Sequence, residues 1–208
     1  MYSIHRAPPG HYNYQGEAAM ISDTLAQTTR AAHDWGLASF LGGSMYGKFA
    51  MNPAVRAIDS KADRGKVTNS AWNGYNVING VSLAAVGLGW GAARLTEARP
   101  DRLSGRERSM ARAKDGFVAS TLLTGIASGI QGARLAKQAP DGAVPMDSGT
   151  TPAQETPKTA ATIQRTLGVL GNLSILSGVG VVVSNALLAQ AGHSRPPVRR
   201  ALLRRTRR

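Results

Sequence analysis

Charged residues are missing from four stretches of the chain, and each stretch is rich in apolar and small residues. A transmembrane helix needs about 20 apolar residues to cross a hydrocarbon core about 30 Å thick. The second and fourth stretches exceed that length with 27 and 29 residues, the third has 18, and Lys48 interrupts the first. The pattern therefore predicts four membrane-spanning helices. The charge-free stretches are 35–47 continued by 49–55, 67–93, 116–133 and 166–194.

The alternative is a soluble helical protein with apolar core helices, which the mean hydropathy of -0.18 favours. A soluble amphipathic helix, however, carries charged or strongly polar residues along its outer face. Segment 77–93 has no charged residue, and segment 167–191 has only three amides and a few serines. The mean hydropathy is low because the tails and connections are very polar. We therefore predict an all-α fold, an integral membrane bundle of four transmembrane helices with Gly, Ala and Ser at the helix contacts.

Polar segments divide the rest of the chain. The N-terminal tail includes Met20, Ile21 and Leu25 at the spacing of a short amphipathic helix. Residues 138–161 are rich in Pro, Thr, Ala, Asp and Gly without periodicity, which is typical of disorder. The predicted parts are a polar cytoplasmic tail 1–30, a transmembrane domain 31–193 with spans at about 33–53, 70–93, 116–135 and 166–190, a basic cytoplasmic loop 94–115, a disordered extracytoplasmic loop 138–161 and an Arg-rich cytoplasmic tail 194–208.

The net charge of +13 comes from 25 Lys and Arg against 12 Asp and Glu. Seven of the positive residues lie in 94–115 and seven in 194–208. Such clusters mark the cytoplasmic side of a membrane protein, and two spans separate the two clusters. We therefore predict a multi-pass cell-membrane protein with both termini in the cytoplasm and the Arg-rich tail on anionic lipid headgroups. If residues 35–53 do not span, three spans remain and only the N-terminus moves outside.

All three tryptophans lie at the ends of charge-free stretches. Trp35 opens the first stretch, whereas Trp72 and Trp90 stand 18 residues apart in the second, which is about 27 Å along a helix. Indole rings favour the membrane–water interface. Trp35, Trp72 and Trp90 are therefore predicted to be interfacial anchors.

Most of the 24 glycines fall inside the charge-free stretches. Small residues four positions apart lie on one helix face and let two helices approach closely. The contacts are predicted within one chain, with contacts to a second copy or another membrane protein as the alternative. The predicted helix-packing residues are Gly43, Gly47, Gly87, Gly91, Gly125, Gly129, Ser174 and Gly178.

Two polar groups of residues are candidates for function. Asn69, Asn73 and Asn76 form one stripe along the second span. The stripe either lines a polar cavity and contacts a solute, or makes interhelical hydrogen bonds worth about 0.6 kcal/mol each, or is simply solvated at the membrane interface. His33 and Asp34 at the mouth of the first span either relay protons or simply begin the helix at the interface.

The sequence also excludes several kinds of chemistry. The absence of cysteine rules out disulfides, zinc-thiolate sites and cysteine nucleophiles. The histidines lack metal-ligand spacing, and no phosphate-binding or dinucleotide-binding motif is present. We therefore predict no catalytic, cofactor-binding or metal-binding residues, and no cofactor.

Three functional hypotheses follow. The first is a small polytopic bacterial inner-membrane protein without enzymatic activity, acting as an accessory or scaffold component. The second is a pore or small-solute carrier, including a holin-like permeabilising protein. The third is a soluble basic helical protein that binds nucleic acid, which we disfavour because the positive residues flank apolar spans, where orientation and lipid contact account for them. The predicted partners are the lipid bilayer and either a second copy or another membrane protein. The residues resemble no specific family.

Overall fold

Four long helices account for most of the chain. The computed structural model describes residues 14–193, and side chains are described for residues 23–191. The prediction of an all-α fold is confirmed over these residues, while the N-terminal segment 1–13 and the whole Arg-rich tail 194–208 lie outside them. The helices are α1 (Tyr14–Tyr46), α2 (Lys61–Leu95), α3 (Gly105–Ala136) and α4 (Lys158–His193).

The helices form an antiparallel ring. Helix α1 packs mainly on α2 and α3 mainly on α4, and each pair also contacts the other through α2 with α3 and α1 with α4. Helices α2 and α4 therefore lie on opposite corners, with α1 and α3 between them. The connection 96–104 lies at one end of the bundle, which we call the one-loop end. The connections 47–60 and 137–157 lie at the opposite end, which we call the two-loop end.

Serine caps explain where two of the helices begin. The Ser60 side chain accepts a hydrogen bond from the Asp63 backbone N–H at 3.2 Å, which caps α2. Ser104 and Glu107 form a reciprocal capping box at the start of α3. This box starts α3 about three turns before its charge-free stretch. Residues 105–115 are therefore helical, so the predicted basic loop 94–115 is wrong in extent and the connection is much shorter.

The first predicted span, 33–53, is not one regular helix. Helix α1 starts at Tyr14, well inside the predicted tail 1–30, and gives way after Tyr46 to a π-helical turn, Gly47–Met51. A short α-turn, Asn52–Ala54, and a 3-10 turn, Val55–Ala57, then lead out of the bundle. Pro53 stands in these turns, where its missing N–H is tolerated. The chain thus leaves the helix at the residue range where the span was predicted to end.

The connection between α3 and α4 corrects the prediction of a disordered loop at 138–161. It contains a 3-10 turn, Pro140–Gly142, and two short antiparallel strands, β1 (Met146–Ser148) and β2 (Thr151–Pro152). Val144 and Met146 are almost fully buried. The loop packs because Gly65 of α2 lets the Val144 backbone approach the helix. The composition of the loop does not reveal this contact, because Gly65 lies outside the loop.

Large apolar side chains cover the outside of the bundle, while many small polar side chains lie inside it. Val77, Leu88, Leu123 and Leu176 are each more than half exposed. Within the described residues, α2 and α4 are long and apolar enough to cross a membrane, and most of each apolar window faces outward. Four spans remain a prediction. The buried polar side chains include Ser82, Thr121, Thr124, Ser174, Ser177, Ser184 and Gln164.

Candidate functional site: two polar cavities and an apolar plug

The predicted asparagine stripe lines a cavity of about 510 Å³ in the two-loop half of the bundle. Asn69, Asn73 and Asn76 all border it, together with Asn79 one turn further along α2. Among the described residues, no side-chain hydrogen bond joins Asn73 or Asn76 to another helix. The structure therefore places the stripe along a cavity and gives these two amides no interhelical partner.

Other helices add polar groups to the same wall. Asn172 of α4 accepts a hydrogen bond from the Lys48 ammonium, and the Trp72 Nε1–H donates to the Asn52 side-chain oxygen at 3.4 Å. Arg165 also borders the cavity, whereas no Asp or Glu of the described residues does. The wall is therefore rich in amides and carries positive charge without a carboxylate.

Glycines make room for this cavity and for the close helix contacts elsewhere. A Cβ at Gly43 would overlap the Tyr75 ring, one at Gly47 would overlap Trp72, and one at Gly125 would press on Leu83. A Cβ at Gly87 or Gly178 would lie 3.2–3.3 Å from a leucine methyl group, which is a tight contact, and Ser174 is buried. Gly91 and Gly129 face open space, so the structure does not place these two predicted residues at a described contact.

Two further close helix contacts involve Gly36 and Gly89, which the small-residue spacing does not select. A Cβ on Gly36 would lie 2.7 Å from the Ser82 carbonyl oxygen, and one on Gly89 would lie 2.7 Å from His33 Cβ. Both contacts join α1 to α2. The sequence has a glycine at every second position from Gly87 to Gly91. The spacing alone does not say which of these glycines faces α1.

The three tryptophans occupy different environments. Trp35 is 55% exposed and faces outward, as an interfacial anchor would. Trp72 is half-buried, with its ring against Gly47 and edge-to-face with Tyr75. Trp90 is buried, and its Nε1–H donates to Asp115 Oδ1 at 2.8 Å. The prediction that Trp90 is an interfacial anchor is therefore wrong, because its polar atom is satisfied inside the protein.

A second cavity of about 650 Å³ lies at the one-loop end, and two buried side chains border it. Lys114 is 4% exposed, and its ammonium lies 3.7 Å from the centroid of the Trp90 ring. His33 Nδ1 donates to the Val86 carbonyl oxygen at 2.8 Å, while its Nε2 is buried without a partner among the described residues. Burial lowers the pKa of Lys114 to about 8, although Asp34 and Asp115 favour the charged form.

The carboxylates near Lys114 are each engaged with another group. Asp34 accepts a hydrogen bond from the Asn185 amide at 3.1 Å, so the pair His33 and Asp34 does not form a hydrogen-bonded relay in the described structure. Glu97 accepts from Arg30 Nε at 2.7 Å. Asp115 accepts from Trp90 and lies 3.2 Å from Arg94 Nε. The ammonium of Lys114 is therefore not neutralised by direct contact with any of them.

An apolar plug separates the two cavities. It consists of Leu37, Val86, Val118 and Val181, one residue from each helix, all of them buried. On every helix the plug residue lies between the residues that border the one-loop cavity and those that border the two-loop cavity. Phe40 and Leu83 extend the plug toward the two-loop cavity, where both contact Gly125.

The described residues hold no group of three or more His, Asp or Glu side chains that could bind a metal ion. Comparison of the chain with protein-family models, with curated proteins and with solved structures finds no match.

Proposed function

We propose that the chain is a small polytopic membrane protein in which all four helices cross the bilayer. The inside-out distribution of side chains supports this proposal. Soluble monomers rarely expose contiguous apolar patches larger than a few hundred Å², yet large apolar side chains such as Val81, Leu88, Ile126 and Val183 are exposed along α2, α3 and α4. Buried serine and threonine hydroxyls are also typical of helix contacts in membranes.

The arrangement of the ring supports four spans over two. Helices α2 and α4 have the length and hydropathy of spanning helices. Helices α1 and α3 lie between them and contact both along the same axis. A bilayer that surrounds α2 and α4 would therefore surround α1 and α3 as well. The polar ends of these long helices extend beyond a slab of about 30 Å.

The basic residues favour one orientation of the bundle. Arg94 and six further positive residues up to Lys114 lie at the one-loop end, where seven arginines in 194–208 also follow α4, against eight positive residues at 56–66 and 134–165 beside the two-loop connections. Because positive residues are retained on the cytoplasmic side, the one-loop end is placed in the cytoplasm and the two-loop end outside.

Within this frame, we propose that the bundle is a pore or carrier for a small polar solute. The observation that carries the proposal is a stack along one axis: a cavity bordered by asparagine amides, an apolar plug, and a cavity bordered by charged side chains. Amides at Asn73 and Asn76 replace hydrogen bonds that a solute loses with water. The plug of Leu37, Val86 and Val118 closes the path, since apolar constrictions also exclude water. The structure then corresponds to a closed state.

Flux into proteoliposomes tests this function, with urea and glycerol as neutral probes followed by light scattering. We expect Asn73→Leu and Asn76→Leu to reduce flux because they remove hydrogen-bonding groups from the wall. Phe40→Ala is expected to raise flux because it shortens the plug. Val77→Leu, on the outward face beside Asn76, serves as the matched control and should leave flux unchanged. Equal flux through all variants, at the level of empty liposomes, would contradict the proposal.

The remaining hypotheses predict different results. A non-enzymatic scaffold would stay in the membrane yet show no flux, even with the Phe40→Ala plug variant. A soluble nucleic-acid-binding protein would be released from membranes by alkaline carbonate. We expect the chain to remain in the carbonate-resistant pellet, and its release into the supernatant would refute the membrane proposal as a whole.

A further inference from the structure

We infer that the one-loop cavity binds a short aliphatic monocarboxylate, with the carboxylate on the Lys114 ammonium and the alkyl part on the apolar wall. The inference rests on the proposed function for the passage of this solute through the bundle. It deepens that function by giving the charge and size class of the solute. Binding itself is measurable without any assumption about transport.

The Lys114 ammonium carries a positive charge that no carboxylate of the described residues contacts directly. Lys114 is more than nine-tenths buried, and its ammonium takes part in none of the ion pairs of the described residues. The contact that it makes is with the face of the Trp90 ring. Taking an ammonium out of water is costly unless a counter-charge and hydrogen bonds replace the water. An anion in the cavity would supply both.

His33 has one ring nitrogen, Nε2, that is not used in a hydrogen bond among the described residues. Its Nδ1–H is committed to the Val86 carbonyl, which leaves Nε2 as the free nitrogen. Nε2 is buried without a partner among the described residues, and His33 borders the same cavity as Lys114. A bound carboxylate would accept a hydrogen bond from Nε2 when the imidazole is protonated. Two buried polar side chains with unused atoms therefore border one cavity.

The wall of the cavity selects against other anions. Asp34, Glu97 and Glu107 also border it. Their negative charge repels an anion with two charges about twice as strongly as an anion with one. Leu103 and Leu188 give the cavity an apolar side. A short alkyl chain fits that side, whereas chloride or inorganic phosphate would leave it empty.

The two-loop cavity is consistent with the same solute. Lys48 and Arg165 border it, and no carboxylate of the described residues does. Asparagine amides also donate hydrogen bonds to carboxylate oxygens. An anion that passes the plug would therefore meet donors and positive charge on the other side.

Butyrate binding to the purified full-length chain in detergent tests the inference, with Trp fluorescence and calorimetry as readouts. We expect saturable binding of butyrate, weaker binding of acetate and no binding of succinate. Lys114→Met should weaken butyrate binding by about 30-fold or more, because truncating a buried charge partner costs at least about 2 kcal/mol. Lys114→Arg should retain binding. Arg112→Met, an exposed cation on the same helix, is the matched control and should bind like the unaltered chain.

The pH dependence adds an independent readout. Above the pKa of Lys114, butyrate affinity should fall about tenfold per pH unit, and Lys114→Met should abolish this fall. At lower pH, protonation of His33 should add to the affinity, because Nε2 then donates to the carboxylate. The titratable or charged groups around Lys114 and its cavity are Arg30, His33 and Asp34 from α1, Arg94 from α2, Glu107 and Asp115 from α3, and Glu97 from the connection.

Equal butyrate affinity in the unaltered chain and in Lys114→Met would overturn the inference, as would the absence of saturable binding by a chain whose circular dichroism shows it folded. The proposed function fails separately. Butyrate binding without any flux would leave the inference standing and remove the transport function. Flux of urea without butyrate binding would leave the transport function standing and overturn the inference.

Discussion

Replacing Lys114 by methionine is expected to stabilise the protein at neutral pH in the absence of an anion. The substitution removes a buried ammonium and keeps a side chain of similar length against Trp90. Burial lowers the pKa of Lys114 from 10.5 to about 8. Each pKa unit corresponds to about 1.36 kcal/mol, so keeping the charge buried costs roughly 3 kcal/mol at pH 7.

The sign of the pH dependence follows from the direction of this pKa change. Below pH 8 the lysine is protonated in both the folded and the unfolded chain, and the cost is present in full. Between pH 8 and 10.5 the unfolded chain binds more protons than the folded chain, so the stability of the unaltered protein rises with pH. The advantage of Lys114→Met is therefore expected to be largest at pH 7 and to disappear near pH 10.5.

Unfolding in detergent micelles, followed by circular dichroism from pH 6.5 to 10.5 in buffers without carboxylate ions, measures the difference. Arg112→Met serves as the control, since it removes an exposed positive charge from the same helix and should change stability by less than about 0.5 kcal/mol. A Lys114→Met variant that is less stable than the unaltered chain at pH 7, by an amount independent of pH, would refute the reasoning.

Three further predictions concern packing and exposure. Gly89→Leu should destabilise the protein by about 1–3 kcal/mol because the side chain would meet α1, while Gly91→Leu, which faces open space, should have little effect on the unfolding midpoint. Val144→Ala should lower the free energy of unfolding by about 1–2 kcal/mol and make proteolysis within 138–161 faster. Equally rapid proteolysis of the unaltered chain would show that the loop is not packed. Brominated lipids should quench Trp35 in a variant that keeps only this tryptophan and should not quench Trp90 in the matching variant; quenching of both would contradict the buried position of Trp90.

Charge-free stretches and small residues suffice to predict the helical class and the approximate centres of α2, α3 and α4, whereas the predicted span 33–53 covers only the last part of α1 and the turns that follow it. They did not predict the ends. Helix α3 begins at Gly105 because of the Ser104 and Glu107 capping box, a local signal that the search for charge-free residues passes over. Helix α1 begins as early as Tyr14, since the polar residues before the apolar stretch also have helical propensity.

The candidate site was only partly accessible to sequence reasoning. The stripe of Asn69, Asn73 and Asn76 follows from helical spacing alone, and the structure adds the cavity that these residues border. Lys114 was counted as one of seven positive residues in a cytoplasmic loop. Its burial depends on how α3 turns toward Trp90 of α2, and no pattern within α3 encodes the position of another helix.

The loop 138–161 shows the same limit. Its composition is typical of disorder, yet Val144 packs against Gly65 of α2 and Leu135 of α3, and Met146 is buried. Long-range contacts of this kind decide order in a polar segment, and they involve residues that are distant in the chain.

The central claim is that all four helices cross the membrane, and labelling of single cysteines tests it most directly because the chain has no cysteine of its own. Ala57→Cys, Arg99→Cys and Gln154→Cys place one thiol in each exposed connection. With a membrane-impermeant maleimide on intact cells, we expect labelling of Ala57→Cys and Gln154→Cys, and labelling of Arg99→Cys only after permeabilisation. If only α2 and α4 crossed, Arg99→Cys and Gln154→Cys would react on the same side, opposite to Ala57→Cys, and the four-span account would be contradicted.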